Sequence, residues 1–195
     1  MKICILAWGS LQWDPRSLEI SDAFEPTGPM VPIEFSRISG KDGPTPRLTL
    51  VINEGNGALC PTFVATSNFK DLGAAKENLR VREGMLHVNG VGFADLLSGD
   101  VSERAMERHP ETVRTVRAWL ENSEFDAAIW TALASNFADV RDEPFSVDAA
   151  IRFLETLPVE NLTVALEYVR RAPEPVQTDV RDAVIRRWPD LPEGT

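Results

Sequence analysis

The chain has little of what most nucleophilic, metal and disulfide chemistry requires. It carries two cysteines and two histidines in 195 residues. Cys4 and Cys60 both lie in apolar, strand-like segments and read as small buried hydrophobes. Their number and spacing give neither a disulfide framework nor a zinc pattern. His87 and His109 are too isolated for a metal site. With no Gly-x-Ser-x-Gly elbow and only those histidines, a serine triad is not expected either. Positive charge is in deficit: 20 Lys and Arg against 30 Asp and Glu give a net charge of -10. That balance argues against a nucleic-acid surface and against an anionic membrane. No apolar run approaches the roughly 20 residues needed to span a bilayer. Met1-Lys2 runs straight into a strand-like segment without the apolar length of a signal peptide, so a cytoplasmic location is expected.

Hydrophobic residues at 43% and charged residues at 26% belong to an ordinary globular chain. The length favours one domain with a substantial core and a small appendage. Strands are expected at Ile3 to Ala7, Val31 to Ile38, Leu48 to Ile52, Thr62 to Thr66 and Ala127 to Leu133. The second and third are expected to form a hairpin across Lys41-Asp42-Gly43-Pro44. Ser10 to Pro29 reads as a long loop, a length that is often functional. Helices are expected at Lys70 to Glu83, ending at Gly84, and at Glu103 to Asn122. After Ser146, a plausible N-cap, three more follow: to Thr156, Val159 to Arg170, and Thr178 to Trp188. Hairpins first and helices later indicate an α+β fold. From Ser146 the pattern changes, and the tail reads as a small helical extension on a strand-rich body. Arg170, Arg171, Arg181, Arg186 and Arg187 read as solvated helix faces, with a docking surface for an acidic partner as the alternative.

Two features carry chemistry. Ile3-Cys4-Ile5-Leu6-Ala7 breaks into Trp8-Gly9-Ser10-Leu11, and a Gly-Ser loop at a strand end presents several backbone N–H groups together. Such a nest suits a carboxylate or an oxyanion. Trp8 and Trp13 are either core or pocket wall, and Asp14-Pro15 is turn chemistry. The second feature is Glu83, placed with Leu72, Ala75, Lys76 and Leu79 on the inward stripe of its helix. A carboxylate facing an apolar interior is raised in pKa, which suits a general acid/base. The alternative is an exposed helix-end residue pairing with Arg80 or a neighbouring loop. Arg37 reads as a carboxylate ligand or as part of a rim salt bridge.

The order Trp8-Gly9-Ser10-Leu11-Gln12-Trp13-Asp14-Pro15, then Leu79-Arg80-Val81-Arg82-Glu83-Gly84, resembles the γ-glutamylcyclotransferase superfamily, most closely its ChaC-like branch. Phe35-Ser36-Arg37 and Leu48-Thr49-Leu50 fit the family's barrel strands, and the likeness runs from about Met1 to Asn136. The resemblance implies a small, mostly antiparallel β-barrel flanked by helices. It also implies a reaction in which a γ-glutamyl peptide or amine cyclises to 5-oxoproline and releases the amine, with no metal and no cofactor. Glu83 would be the general acid/base. Trp8, Gly9, Ser10, Leu11 and Arg37 would bind the γ-glutamyl substrate. Trp8 stands where the family has tyrosine, and Tyr168 is the only tyrosine present. The helical tail after Asp139 has no family counterpart, so the resemblance divides the chain into a γ-glutamylcyclotransferase-like domain, 1–139, and a helical extension, 140–195. The leaving group stays open between glutathione, a γ-glutamyl amine and a specialised metabolite, and the oligomeric state is not fixed. A non-catalytic binding or adaptor protein on the same fold, and a hydrolase or transferase acting without cyclisation, are the competing expectations.

Overall fold

The computed structural model describes residues 1–40 and 45–189. The turn expected at Lys41-Asp42-Gly43-Pro44 lies outside them. The strands are β1 (Ile3–Ala7), β2 (Met30–Ser39), β3 (Arg47–Ile52), β4 (Ala58–Pro61), β5 (Phe63–Thr66), β6 (Val91–Asp95) and β7 (Ala127–Thr131). The helices are α1 (Leu72–Glu83), α2 (Glu103–Arg108), α3 (Pro110–Leu120), α4 (Phe137–Arg141), α5 (Val147–Glu155), α6 (Val159–Arg170) and α7 (Asp179–Arg187). The class is α+β, as expected. Contacts divide the chain into one unit of residues 1–31 and 61–133 and a second of residues 32–60 and 134–195. The expected boundary at 139 is therefore not the one the contacts draw: the β2–β3 hairpin groups with the helical tail.

The first unit contains a sheet in the order β5-β1-β7-β6. β1 pairs antiparallel with β5 and parallel with β7, and β7 pairs antiparallel with β6. All five β1 residues are buried, which is why that segment reads as an unbroken apolar run rather than an alternating one. Ile3, Ile5 and Ala7 join Ala127 and Ile129 of β7 and Ala75 and Leu79 of α1 in one core. α1 starts on Asp71, whose carboxylate accepts from Ala74 N at 2.8 Å. It stops on Gly84, at φ 64, a left-handed conformation that glycine adopts without strain. The single helix expected over Glu103 to Asn122 is two helices. Pro110 has no N–H to donate and pushes the preceding residue out of the helical region, and His109 accordingly sits at φ -143, ψ 59.

In the second unit the sheet order is β3-β2-β4. α6 packs on β3, and α5, α6 and α7 pack on one another. β2 and β3 form the expected antiparallel hairpin, with a bulge between Glu34 and Arg37. A bulge takes residues out of the ladder, and here the Phe35 amide donates instead to Glu34 Oε1 at 2.6 Å. The other Glu34 oxygen accepts from Val180 N at 3.3 Å, at the start of α7, and Thr178 adds a side-chain bond. Glu34 is fully buried, and burial is the largest cause holding its pKa above the ordinary 4.5. Neither sheet closes into the barrel the resemblance implied. The first ends on β5 and β6, the second on β3 and β4, and closure would need those edges to pair. Among the described residues no helix is long and apolar enough to cross a membrane.

Two outcomes are expected. A Cβ on Gly92 would lie 2.5 Å from the ring of the fully buried Trp130. Gly92→Ala is therefore expected to cost about 1–3 kcal/mol in urea unfolding, the usual range for overpacking. Glu34 has a raised folded pKa, so the folded state holds its proton where the unfolded chain has lost it. That stability is complete below 4.5 and disappears as pH rises through the folded value. Denaturant unfolding from pH 4.5 upward is expected to show the wild type losing stability relative to Glu34→Gln. A difference that is flat or grows with pH would refute the assignment.

Candidate active site

The site is built on the first unit, from the loop after β1 and the last turn of α1. The loop folds into a helix-like turn: Gln12 N donates to Gly9 O at 3.1 Å and Asp14 N to Ser10 O at 2.9 Å. Trp8 and Leu11 are both 5% exposed, and Leu11 joins the core with Ile5 and Leu79. Their side chains anchor the loop, so what remains for a ligand is backbone. Among the described residues the amides of Gly9, Ser10 and Leu11 have no backbone acceptor. This is the arrangement of a first helical turn, whose leading N–H groups are left over. Trp8, expected as either wall or core, is core.

α1 holds the loop at two places one turn apart. Asn78 Oδ1 accepts from Glu19 N and its Nδ2 donates to Ser17 O, both at 2.9 Å. Four residues on, Arg82 reaches the loop's first turn. Its side chain is 4% exposed. Nη2 donates to the Asp14 carbonyl. Both terminal nitrogens lie 3.5 Å from Ser10 Oγ, a long bridging contact. Nη1 also donates to Glu83 Oε1 at 2.6 Å. Nε is buried with no partner among the described residues.

Glu83 is therefore not the carboxylate facing apolar residues that helical periodicity indicated. It is half-buried, with its side chain 19% exposed, and it is paired with a guanidinium. The exposed pairing with Arg80 is also not formed: Arg80 binds Glu77 at 2.7 and 2.8 Å and the Met85 carbonyl. Glu83 Oε2 accepts from no donor among the described residues, so one oxygen is fixed and the other is open. Arg82 stands in the motif that carries the resemblance, but the sequence assigns it no role of its own. From Leu79, positions three and four further on both lie on the inward face. The helix buries the first of them, continuing Ala75–Leu79–Arg82.

Arg37 belongs to the second unit, where Nη1 donates to the Ala134 carbonyl at 2.8 Å. Of the basic tail, Arg181 is buried rather than solvated. It donates to the carbonyls of Pro173, Val176, Ala172 and Arg170 and staples the α6–α7 connection. Among the described residues no group of three His, Cys, Asp or Glu side chains is placed to hold a metal ion.

The ion pair gives an expected outcome. Glu83→Ala removes the carboxylate paired with the buried Arg82 guanidinium, a loss that typically costs about 3–5 kcal/mol. Glu83→Gln keeps an acceptor oxygen for Nη1 and is expected to cost clearly less, as measured by denaturant unfolding of the two variants. Equal stabilities for Glu83→Ala and the wild type would show that the pair is not formed. No protein-family model, no curated protein and no solved structure matches this chain, so its chemistry is argued from the site's own geometry.

Proposed function

We propose that the protein is a γ-glutamylcyclotransferase-like enzyme that turns a γ-glutamyl peptide or amine into 5-oxoproline and the free amine. The observation that carries this reading is the pairing of one fixed and one open oxygen on Glu83, beside a loop with unused amides. The same guanidinium nitrogen, Nη1, lies 2.6 Å from Glu83 Oε1 and 3.5 Å from Ser10 Oγ. The carboxylate proposed as general base and the loop proposed to bind the anion thus share a contact, which supports the reading. The likeness of Trp8-Gly9-Ser10-Leu11 and Arg82-Glu83 to the superfamily's motifs supports the same reading.

The chemistry asks little of the protein beyond placement. Nucleophile and electrophile belong to one substrate, and orienting them removes much of the barrier. Glu83 Oε2 takes a proton from the substrate's α-ammonium group. The freed amine attacks its own γ-carbonyl carbon, forming the ring C–N bond and a tetrahedral oxyanion. The amides of Gly9, Ser10 and Leu11 offer donors to that oxyanion or to the α-carboxylate. The proton held on Glu83 passes to the departing nitrogen and the old C–N bond breaks; Glu83, again a carboxylate, takes the second ring-nitrogen proton, which the released amine carries off as its ammonium. No water is consumed, so the mass of substrate equals that of the two products.

Trp8 favours a second reading, a binding protein without turnover, because it brings no hydroxyl where the family has tyrosine. Purified protein is to be incubated with glutathione, γ-glutamyl dipeptides and γ-glutamyl amines, and 5-oxoproline quantified by mass spectrometry. Turnover is expected with at least one class of compound. Glu83→Gln is expected to lower it about 10²–10⁴-fold, the usual worth of a positioned acid/base, with an unchanged circular dichroism spectrum. Binding without 5-oxoproline would establish the second reading.

A further inference from the structure

We propose that Arg82 is a positioning residue for this reaction. Its guanidinium locks the Glu83 carboxylate and the Ser10–Asp14 turn into one piece, and so decides that Oε2 is the oxygen that meets the substrate. The inference rests on the reading of the reaction given above.

A guanidinium is a planar fork whose donors have fixed relative directions. In this chain the fork is spread across two segments. Nη1 takes the carboxylate of α1, Nη2 takes the Asp14 carbonyl of the loop, and both approach Ser10 Oγ. Rotation of the carboxylate would break a 2.6 Å charge-assisted bond, among the stronger hydrogen bonds a protein makes. With the side chain 4% exposed, water cannot readily take the place of either partner. The surroundings of the fork offset the cost of burying its charge. It sits in the last turn of α1, beside the negative end of the helix dipole, and its neighbour supplies the counter-charge. Arg82 touches no reacting atom in this arrangement: it acts through Glu83 and through the loop.

A lysine at this position keeps the charge but offers one compact ammonium group in place of the fork. It cannot hold the carboxylate and the Asp14 carbonyl in one plane. Arg82→Lys is therefore the informative variant, and Arg82→Gln, which is neutral, is the control for loss of folding. The first readout is kinetic, with γ-L-glutamyl-L-alanine as the probe. Arg82→Lys is expected to lower kcat about 10²-fold, the scale of a 1 Å misplacement, while KM changes by less than about threefold. The second readout needs no activity: amide hydrogen exchange of Gln12 and Asp14, whose N–H groups close the turn. Both amides are expected to exchange at least about tenfold faster in Arg82→Lys and Arg82→Gln, with the β1 and β7 amides unchanged. Wild-type exchange rates at Gln12 and Asp14 in both variants would overturn the proposal. So would a kcat equal to that of the wild type. A wild-type protein that makes no 5-oxoproline from any γ-glutamyl probe would overturn the reaction, and with it the assignment of Oε2. The exchange rates alone then decide whether Arg82 holds the turn.

Discussion

The buried guanidinium of Arg82 is the joint on which the candidate site depends. A cation taken out of water is costly unless its donors are met and its charge is answered. Here the two terminal nitrogens are met and the charge is answered, while Nε is left without a partner among the described residues. Glu83 supplies the charge, Ser10 and Asp14 supply oxygen, and the C-terminal end of α1 supplies a favourable field. The consequence runs in both directions. The loop is held in its turn by a residue of α1, and the carboxylate of α1 is held at its angle by a residue bound to the loop. Gly84 completes the arrangement by ending the helix immediately after the pair, in a conformation that other residues adopt only with strain.

The second unit solves comparable problems with the backbone itself. Glu34 lies where β2 bulges, and its carboxylate takes the Phe35 amide on one side and the start of α7 on the other. Arg181 answers carbonyls left over around the α6–α7 connection. Each is an ionisable side chain set against backbone groups that would otherwise be buried unpaired, and such groups must find partners. This is why an acidic residue inside an apolar strand and an arginine inside a basic helix are structural here, although their types alone suggest a surface.

The parts of the fold governed by local chemistry were legible in the sequence. Ile3–Ala7 is a strand because it is a short β-branched run cut by a glycine. Gly84 ends α1, and Ser146 caps α5 by accepting from Ala149 N. What escaped was decided by non-local pairing or by a single overriding residue. The parallel match of β1 to β7 joins segments more than a hundred residues apart, and no periodicity records it. Pro110 divides a helix whose apolar spacing runs on across it, and β4 is too short to show a pattern. At the site, Glu83 was found but its surroundings were not. Helical spacing places residues 82 and 83 on the same face, and only packing decides which of them goes in. The loop amides were read from residue type, and in the structure those of Gly9, Ser10 and Leu11 have no backbone acceptor among the described residues.

A carboxylate with one bound and one open oxygen, fixed to a loop with unused amides, is an arrangement suited to moving a proton within a small acidic substrate. The most direct measurement is a crystal structure of the protein with 5-oxoproline bound. The account requires the ring nitrogen to lie within hydrogen-bond reach of Glu83 Oε2, and a ligand oxygen to accept from the amides of Gly9 to Leu11. A ligand bound elsewhere, or one seated there with Glu83 turned away from it, would contradict the account.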